Sequence, residues 1–346
     1  MTMSRATIFD VAKLAGVSIK TVSRVVNKEP NVRANTRERV DKAVEELNYR
    51  PDQSARNLAS QRSRLIALVY DDPSAYEIPS AGYVIRLQAG ALRACRSADC
   101  ELVIHPCNYQ DENVSGELKA LIEKVRPDGV VLAAPLSNMP KIVSAISSTD
   151  TPFVPVSSGK KNSKGFSVSM NDRQSSAEMT RYLASLGHKD IAFLTGHPKH
   201  KAVANRFLGY KDGLEQSGLT FSEHLIAAGD NSIRSGEACA TKLLERKKRP
   251  TAIFAANDDM AAGVIRVADR LGIDVPGQLS VTGCDDVALA QQIYPALTTI
   301  RQPLAAMAER AALALIDHSR GISSLQGSEV LPAALVIRES TGPAPA

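Results

Sequence analysis

Ile8, Val11, Ala12 and Ala15 recur at i, i+3, i+4 and i+7, the stripe of a helix with one buried side. Thr7 precedes the run and Asp10 stands three residues later, a capping-box pair, while Gly16 suits the left-handed residue that ends a helix. The pattern restarts in "VSIKTVSRVVN" (17–27), with Ser18 as the cap and Val22, Val25 and Val26 as the buried side. A third stripe, Val40, Ala43, Val44 and Leu47, runs through "NTRERVDKAVEELNY" (35–49), with Asn35 as the expected cap and Glu38 in the capping-box position. Two short helices around a tight turn, followed by a third, predict a helix-turn-helix unit.

Beyond residue 62 the pattern changes to short apolar runs. Strands are predicted at 65–70, 101–106, 129–134, 152–157, 191–196, 252–257 and 279–284. Helical periodicity separates most of them, as in "GELKALIEKVR" (116–126) and "SSAEMTRYLASLG" (175–187). Such alternation implies parallel sheets flanked by helices, with ligands at the carboxyl ends of the strands. Several strands end in polar pairs: Asp71-Asp72, Ser157-Ser158, Asn257-Asp258 and Asp285-Asp286.

Charge divides the chain the same way. Residues 1–64 hold 13 Lys and Arg against 7 Asp and Glu, and the remainder holds 29 against 30. A basic module on a near-neutral body points to an anionic partner for the module alone. In a helix-turn-helix the first turn of the second helix enters the major groove. Here that region carries Ile19, Lys20 and Arg24, suited to a thymine methyl and to guanine O6 and N7. Thr7, Ser18, Thr21, Ser23 and Asn27 are candidate phosphate anchors, which set register but read no sequence. One residue fits neither core nor loop: Leu58, alone in "RPDQSARNLAS" (50–60). It is either an isolated surface leucine or an apolar tool that acts outside the protein.

The stretches "ATIFDVAKLAGVSIKTVSRVVN" and "TRERVDKAVEELNYRPDQSARNLAS" closely resemble the headpiece of the LacI/GalR family of bacterial repressors, over residues 5–60. The resemblance implies that 1–50 is the headpiece and 51–61 a hinge that becomes helical on operator DNA. Leu58 would pry open a central base step from the minor groove, with Ala55 and Arg56 lining it. Asp52 replaces the more usual Asn and is given no DNA contact.

The likeness continues more loosely over 62–346, through "NRFLGYKDGLEQSGL", "AIFAANDDMAAGVIRVADRLGIDVPGQLSVTGCDDVALA" and "PALTTIRQP". It implies an α/β core of two periplasmic-binding-protein-like lobes, one near 62–163 and 296–321, the other near 164–295 and 322–341. It also carries effector roles onto Arg206 and Asp285, with Asn257, Asp258, Gln302, Tyr70, Asp71, Tyr83 and Ser157 as helpers. Guanidinium and carboxylate groups suit the vicinal hydroxyls of a sugar. Three positions depart from the family pattern: Ser157 for an acid, Ala202 for a hydroxyl residue and Asn231 for an aromatic. The chain has no Trp, so a sugar ring has to stack on Tyr or Phe elsewhere. The segment 71–83 is longer than usual and is expected to close over the ligand.

The acidic pairs raise the alternative of an enzyme or a metal site. No histidine pattern accompanies them, and no GxxxxGK[ST], GxSxG or GxGxxG motif is present. The five cysteines form no CxxC pair and are read as reduced core thiols. Asp259 and Asp286 are read as strand-end caps and turn formers. No catalytic residue, metal or cofactor is therefore expected. The polar N-terminus and the lack of a long apolar stretch suggest a cytoplasmic protein. The tail carries no leucine heptad, so a homodimer is expected rather than a coiled-coil tetramer. The expected function is a repressor released from a palindromic operator by a small effector, with a sugar as the expected class. The alternatives are a regulator whose ligand tightens DNA binding and, more distantly, a sugar-binding protein or enzyme on the same core.

Overall fold

Val11, Ala12, Ala15, Val22, Val25, Val40 and Ala43 close a small apolar core in the first of two units, Met1–Ser63 and Arg64–Ala346. The structure is a computed structural model that describes residues 6–26, 30–49, 62–72, 82–158 and 165–345. In the first unit, α1 spans Ile8–Ala15, α2 Ile19–Val26 and α3 Ala34–Glu46. The expected capping box is present: the Asp10 amide donates to Thr7 Oγ1 at 3.4 Å, and the Thr7 amide donates to Asp10 Oδ2 at 2.9 Å. Gly16 ends α1 at φ 61°, a conformation that glycine adopts without strain. The α3 start differs from expectation. The Arg33 carbonyl accepts from the amides of Thr36 and Arg37, each at 3.0 Å, so the helix begins before Asn35 and that side chain is no cap. Arg39 instead ties α3 to α1 by donating to the carbonyls of Ala15 and Gly16.

The second unit alternates strands and helices. Its first half runs β1 (Leu65–Asp71), α4 (Gly82–Ser97), β2 (Glu101–Cys107), α5 (Val114–Val125), β3 (Gly129–Ala133), α6 (Pro140–Ser147), β4 (Phe153–Val156) and β5 (Phe166–Met170). It continues with α7 (Asp172–Ser185), β6 (Ile191–Thr195), α8 (Lys201–Gln216), β7 (Ile226–Ala228), α9 (Ile233–Leu244), β8 (Ala252–Ala255), α10 (Asp258–Arg270), β9 (Ser280–Asp285) and α11 (Ala288–Gln292). It closes with β10 (Thr298–Arg301), α12 (Leu304–Ser319), β11 (Gly327–Leu331) and β12 (Ala334–Val336).

Two six-stranded sheets result, in the orders β11-β5-β4-β3-β1-β2 and β12-β10-β9-β8-β6-β7. All pairings are parallel except β10 with β12. Alternate residues of β1 serve opposite cores: Ile66 and Leu68 pack with Leu87 of α4 and Leu315 of α12, Ala67 and Val69 with Leu118 and Ile142. A sheet covered on both faces needs unbroken apolar strands, which is why these runs stood out in the sequence. In the second lobe α9 and α10 approach backbone to backbone. A Cβ on Gly236 would lie 2.3 Å from the Met260 carbonyl oxygen, and one on Gly263 2.3 Å from that of Ile233.

The sheets also correct the lobe boundaries expected from sequence. Strand β5 belongs to the first sheet, β10 to the second and β11 to the first. The chain therefore crosses between lobes at 170–172, 301–304 and 331–334, rather than near 163, 295 and 321. Of the strands not predicted, β7 and β12 have three residues each and β11 is mostly exposed, while β5 and β10 are mostly buried runs of five and four residues.

Candidate functional site

On the headpiece, burial of Val22 and Val25 turns the other side of α2 outward. Ile19, Lys20 and Arg24 all lie exposed, Ile19 at 41%. An isoleucine this open at the start of a helix contributes little to the core. The hydroxyl residues nearby serve the helix ends. Ser18 Oγ accepts from the Thr21 amide at 3.2 Å and lies 2.9 Å from Thr21 Oγ1, and Thr7 Oγ1 donates to Asp10 Oδ2 at 2.7 Å. Each oxygen keeps capacity for a further bond. Ser23 is half-buried beside Arg24. Asn27, Ala55, Arg56 and Leu58 lie outside the described residues.

In the second unit a cavity of about 320 Å³ lies at the carboxyl ends of the strands. It gathers Tyr70, Asp71, Tyr83, Ser157, Arg206, Asn257, Asp285 and Gln302 from regions far apart in sequence. Arg206 is buried on α8, where its Nε donates to Asp172 Oδ1 at 2.9 Å and its NH1 to the Ala256 carbonyl at 2.7 Å. Its charge is thus matched from behind, leaving the rest of the guanidinium for the cavity. Asp285 ends β9 at φ 137°, and Asp286 follows at φ 55°. Neither conformation suits a residue with a side chain, and strain of this kind is concentrated at functional sites. Gln302 Nε2 donates to Asp285 Oδ1. Burial pushes the Asp285 carboxyl up to about 7, against the opposing pull of Arg206. The Tyr83 hydroxyl, raised to about 12 by burial, and Ser157 Oγ face the same space and each other. Tyr70 accepts from Gln88 Nε2 at 3.2 Å.

Asp258 departs from expectation. It does not line the cavity: it is fully buried, and its Oδ2 accepts from the Val287 amide at 3.0 Å and its Oδ1 from Thr299 Oγ1. Its neighbour Asp259 lines the cavity instead. One step along a helix turns a side chain by about 100°, so the two adjacent acids exchange the places expected of them. Asp286 is held between Arg301 at 2.6 Å and Arg338 at 2.5 Å, a structural role. Asn257 caps α10, accepting from the Met260 amide at 3.1 Å, and donates to the Asn231 carbonyl at 2.9 Å.

Tyr109, Gln110, His197, His200, Val203 and Asp230 also line the cavity and were missed. All follow the carboxyl ends of β2, β6 or β7 or begin α8, so the strand-end rule applied to every strand would have found most of them. Tyr109 Oη lies 2.8 Å from His197 Nε2, joining the lobes at the cavity wall, and Lys199 Nζ stands 4.5 Å from the Tyr109 ring centre. Asn231, where an aromatic was expected, accepts from the His197 amide at 3.2 Å. The aromatic wall is therefore built by Tyr70, Tyr83, Tyr109 and the two histidines. Burial lowers both histidines, His200 to about 3, which keeps that ring neutral.

Comparison with known proteins now adds to this geometry. A model of bacterial regulatory proteins of the lacI family matches residues 7–52, and one of a periplasmic-binding-protein-like domain matches 180–341. The HTH-type transcriptional regulator DegA of Bacillus subtilis (strain 168) is 33% identical over 341 residues, covering 98% of this chain and 99% of that protein. This chain belongs to the lacI family.

The solved lac repressor dimer bound to operator and the anti-inducer ONPF matches with a TM-score of 0.82 at 27% identity, covering 98% of this chain and 100% of that one. The complex of the transcriptional regulator CelR with cellobiose matches at 0.75 and 28%, covering 97% and 100%. As a lacI-family protein the chain is a DNA-binding transcriptional repressor and not an enzyme. Among the described residues no helix is long and apolar enough to cross a membrane.

Proposed function

We propose that this repressor is controlled by a small hydroxylated effector bound in the cavity, which releases it from a two-fold operator. The observation that carries the reading is the buried Arg206, backed by Asp172 and beside the strained Asp285. Side by side, a guanidinium can donate two hydrogen bonds to neighbouring hydroxyls and a carboxylate can accept two from them. Gln302, Ser157, Tyr70, Asp71 and Tyr83 complete the binding set, with Asn257 held mainly by its cap. On the DNA side, Ile19, Lys20 and Arg24 read bases, while Thr7, Ser18, Thr21, Ser23 and Asn27 hold phosphates. Two headpieces on an inverted repeat require a homodimer.

The hinge roles of Ala55, Arg56 and Leu58 rest on the family resemblance. Leu58→Ala is expected to lower specific affinity while leaving much of the salt-dependent, non-specific binding. An equal fall in both would remove the wedge.

Fluorescence anisotropy on an inverted-repeat DNA with a central CG step, against a panel of sugars at fixed salt, tests the whole reading. Release by one sugar is the expected result. Tightening would reverse the sign of control, and operator binding indifferent to a sugar that fills the cavity would refute effector control.

A further inference from the structure

The three crossovers leave from one edge of each sheet. They follow β5, β10 and β11, and these strands, with β12, hold the first two places in the orders β11-β5-β4-β3-β1-β2 and β12-β10-β9-β8-β6-β7. A hinge on that edge leaves the far edges of the two lobes to be held by non-covalent contacts. Strand β2 forms the far edge of the first sheet, and β6 lies one strand from the far edge of the second. The residues that follow these strands meet. Tyr109 Oη lies 2.8 Å from His197 Nε2, Lys199 Nζ stands 4.5 Å from the centre of the Tyr109 ring, and Asn138 Nδ2 donates to the Lys199 carbonyl at 3.3 Å. Asn138 ends the short turn Leu136–Asn138 after β3, so two separate segments of the first lobe hold the one loop 197–199 of the second. Arg86, which donates to the Asp286 carbonyl, joins the lobes nearer the crossovers, beyond the end of β9.

The contact between Tyr109 and His197 has a fixed direction. The Lys199 amide donates to His197 Nδ1 at 3.1 Å, so that nitrogen holds a lone pair and the ring hydrogen sits on Nε2. Nε2 therefore donates to Tyr109 Oη, which also accepts from Gln110 Nε2 at 3.3 Å. Burial and the Lys199 charge lower the His197 pKa, which keeps the ring in this neutral form. Tyr109 is buried, so its side of the bond is shielded from water. Tyr109 and His197 are also walls of the cavity, and the bond between them spans its perimeter from lobe to lobe.

We propose that Tyr109, His197, Lys199 and Asn138 form a latch that holds the lobes together at the edge away from the crossovers, so that the cavity exchanges small molecules with solvent only when these contacts part. The device belongs to the chain itself and is independent of which ligand the cavity takes. Any effector must break the latch to enter and again to leave, which makes its residence time a property of residues outside the binding set.

Thiol labelling of the full chain without ligand tests this. Ala202, 4% exposed, lines the cavity, so Ala202→Cys places a reactive group inside it. Cys239, also 4% exposed, lies in the apolar core of the second lobe outside the cavity lining and serves as the reference. Iodoacetamide labelling at both sites, followed by peptide mass spectrometry, reads how often each is uncovered. In the Ala202→Cys background, Tyr109→Phe is expected to raise the rate at position 202 about fivefold, the loss of one neutral hydrogen bond, and Asn138→Ala about twofold. The rate at Cys239 is expected to stay unchanged, which separates the latch from a general loosening of the lobe. The latch is overturned by an unchanged rate at position 202 in Tyr109→Phe, or by rises at Cys239 that match those at position 202 in both variants. An Ala202→Cys chain that labels there as fast as an exposed thiol would also overturn it. Because no ligand is used, these outcomes leave the effector reading untouched, and failure of effector control leaves the latch untouched.

Discussion

The headpiece and the cavity handle charge in opposite ways. In the headpiece the core is wholly apolar, and Ile19, Lys20 and Arg24, assigned to bases, stand exposed on the far side of α2. In the cavity the assigned charges are themselves buried, held by Asp172, Gln302 and backbone carbonyls. Function and fold are thus separable for the base-reading residues of the first unit and share residues in the second. A DNA-reading residue can be replaced at little structural cost, whereas a ligand-reading residue cannot.

The largest effect expected from that contrast is Arg206→Leu. It strands Asp172, 3% exposed, without its ion partner, and should cost about 3–5 kcal/mol of core stability in chemical denaturation. Replacing Asp172 with Leu at the same time should restore much of that loss but not effector binding. If Arg206→Leu unfolds no earlier than the wild type, the buried pair does not hold the cavity.

Asp285→Asn sharpens the same point through pH. The folded value near 7 lies above the ordinary 3.8, so the folded core binds this proton more tightly than the unfolded chain. The resulting stabilisation is fully present below about pH 4 and is lost as the pH rises through about 7. Thermal melts of Asp285→Asn should therefore lose less stability than the wild type between pH 5 and 8. Parallel curves would contradict the burial argument.

On the headpiece, Arg24→Ala should cost about 1–3 kcal/mol of specific operator affinity and relax one base position, while the melting curve stays in place. Comparable losses on random DNA would make Arg24 a phosphate contact instead. The smallest expected effect is Thr7→Ala, which removes both hydroxyl bonds of the α1 capping box. It should lower headpiece stability by about 1 kcal/mol, read by hydrogen exchange of the α1 amides, without a change in the core transition.

The two regions also differ in how much of them the sequence disclosed. Val11 and Ala15, Val22 and Val25, and Val40 and Ala43 each recur at helical spacing within one helix, and the Thr7–Asp10 cap is local, so the headpiece helices followed from neighbours along the chain. Asn35 failed because a competing backbone start at Arg33 lay two residues away. The cavity is assembled from strand ends distant in sequence, and residue type alone does not say which of two adjacent acids faces it. Asp258 and Asp259 illustrate this: burial sends one to Val287 and Thr299 and the other to the cavity. His197 and Tyr109 had no local signal, since their contact spans 88 positions. Arg206 and Asp285 came from the family likeness rather than from any pattern of their own, and the lobe boundaries shifted because β5, β10 and β11 join sheets by pairings no local periodicity encodes.

The central claim is that cavity and headpiece exchange free energy. Its most direct test measures operator affinity with and without saturating ligand, and ligand affinity with and without operator, at one salt concentration. Effector control predicts the same factor in both directions, about 5- to 150-fold, with each weakening the other. A ligand that fills the cavity while operator affinity stays unchanged would contradict it.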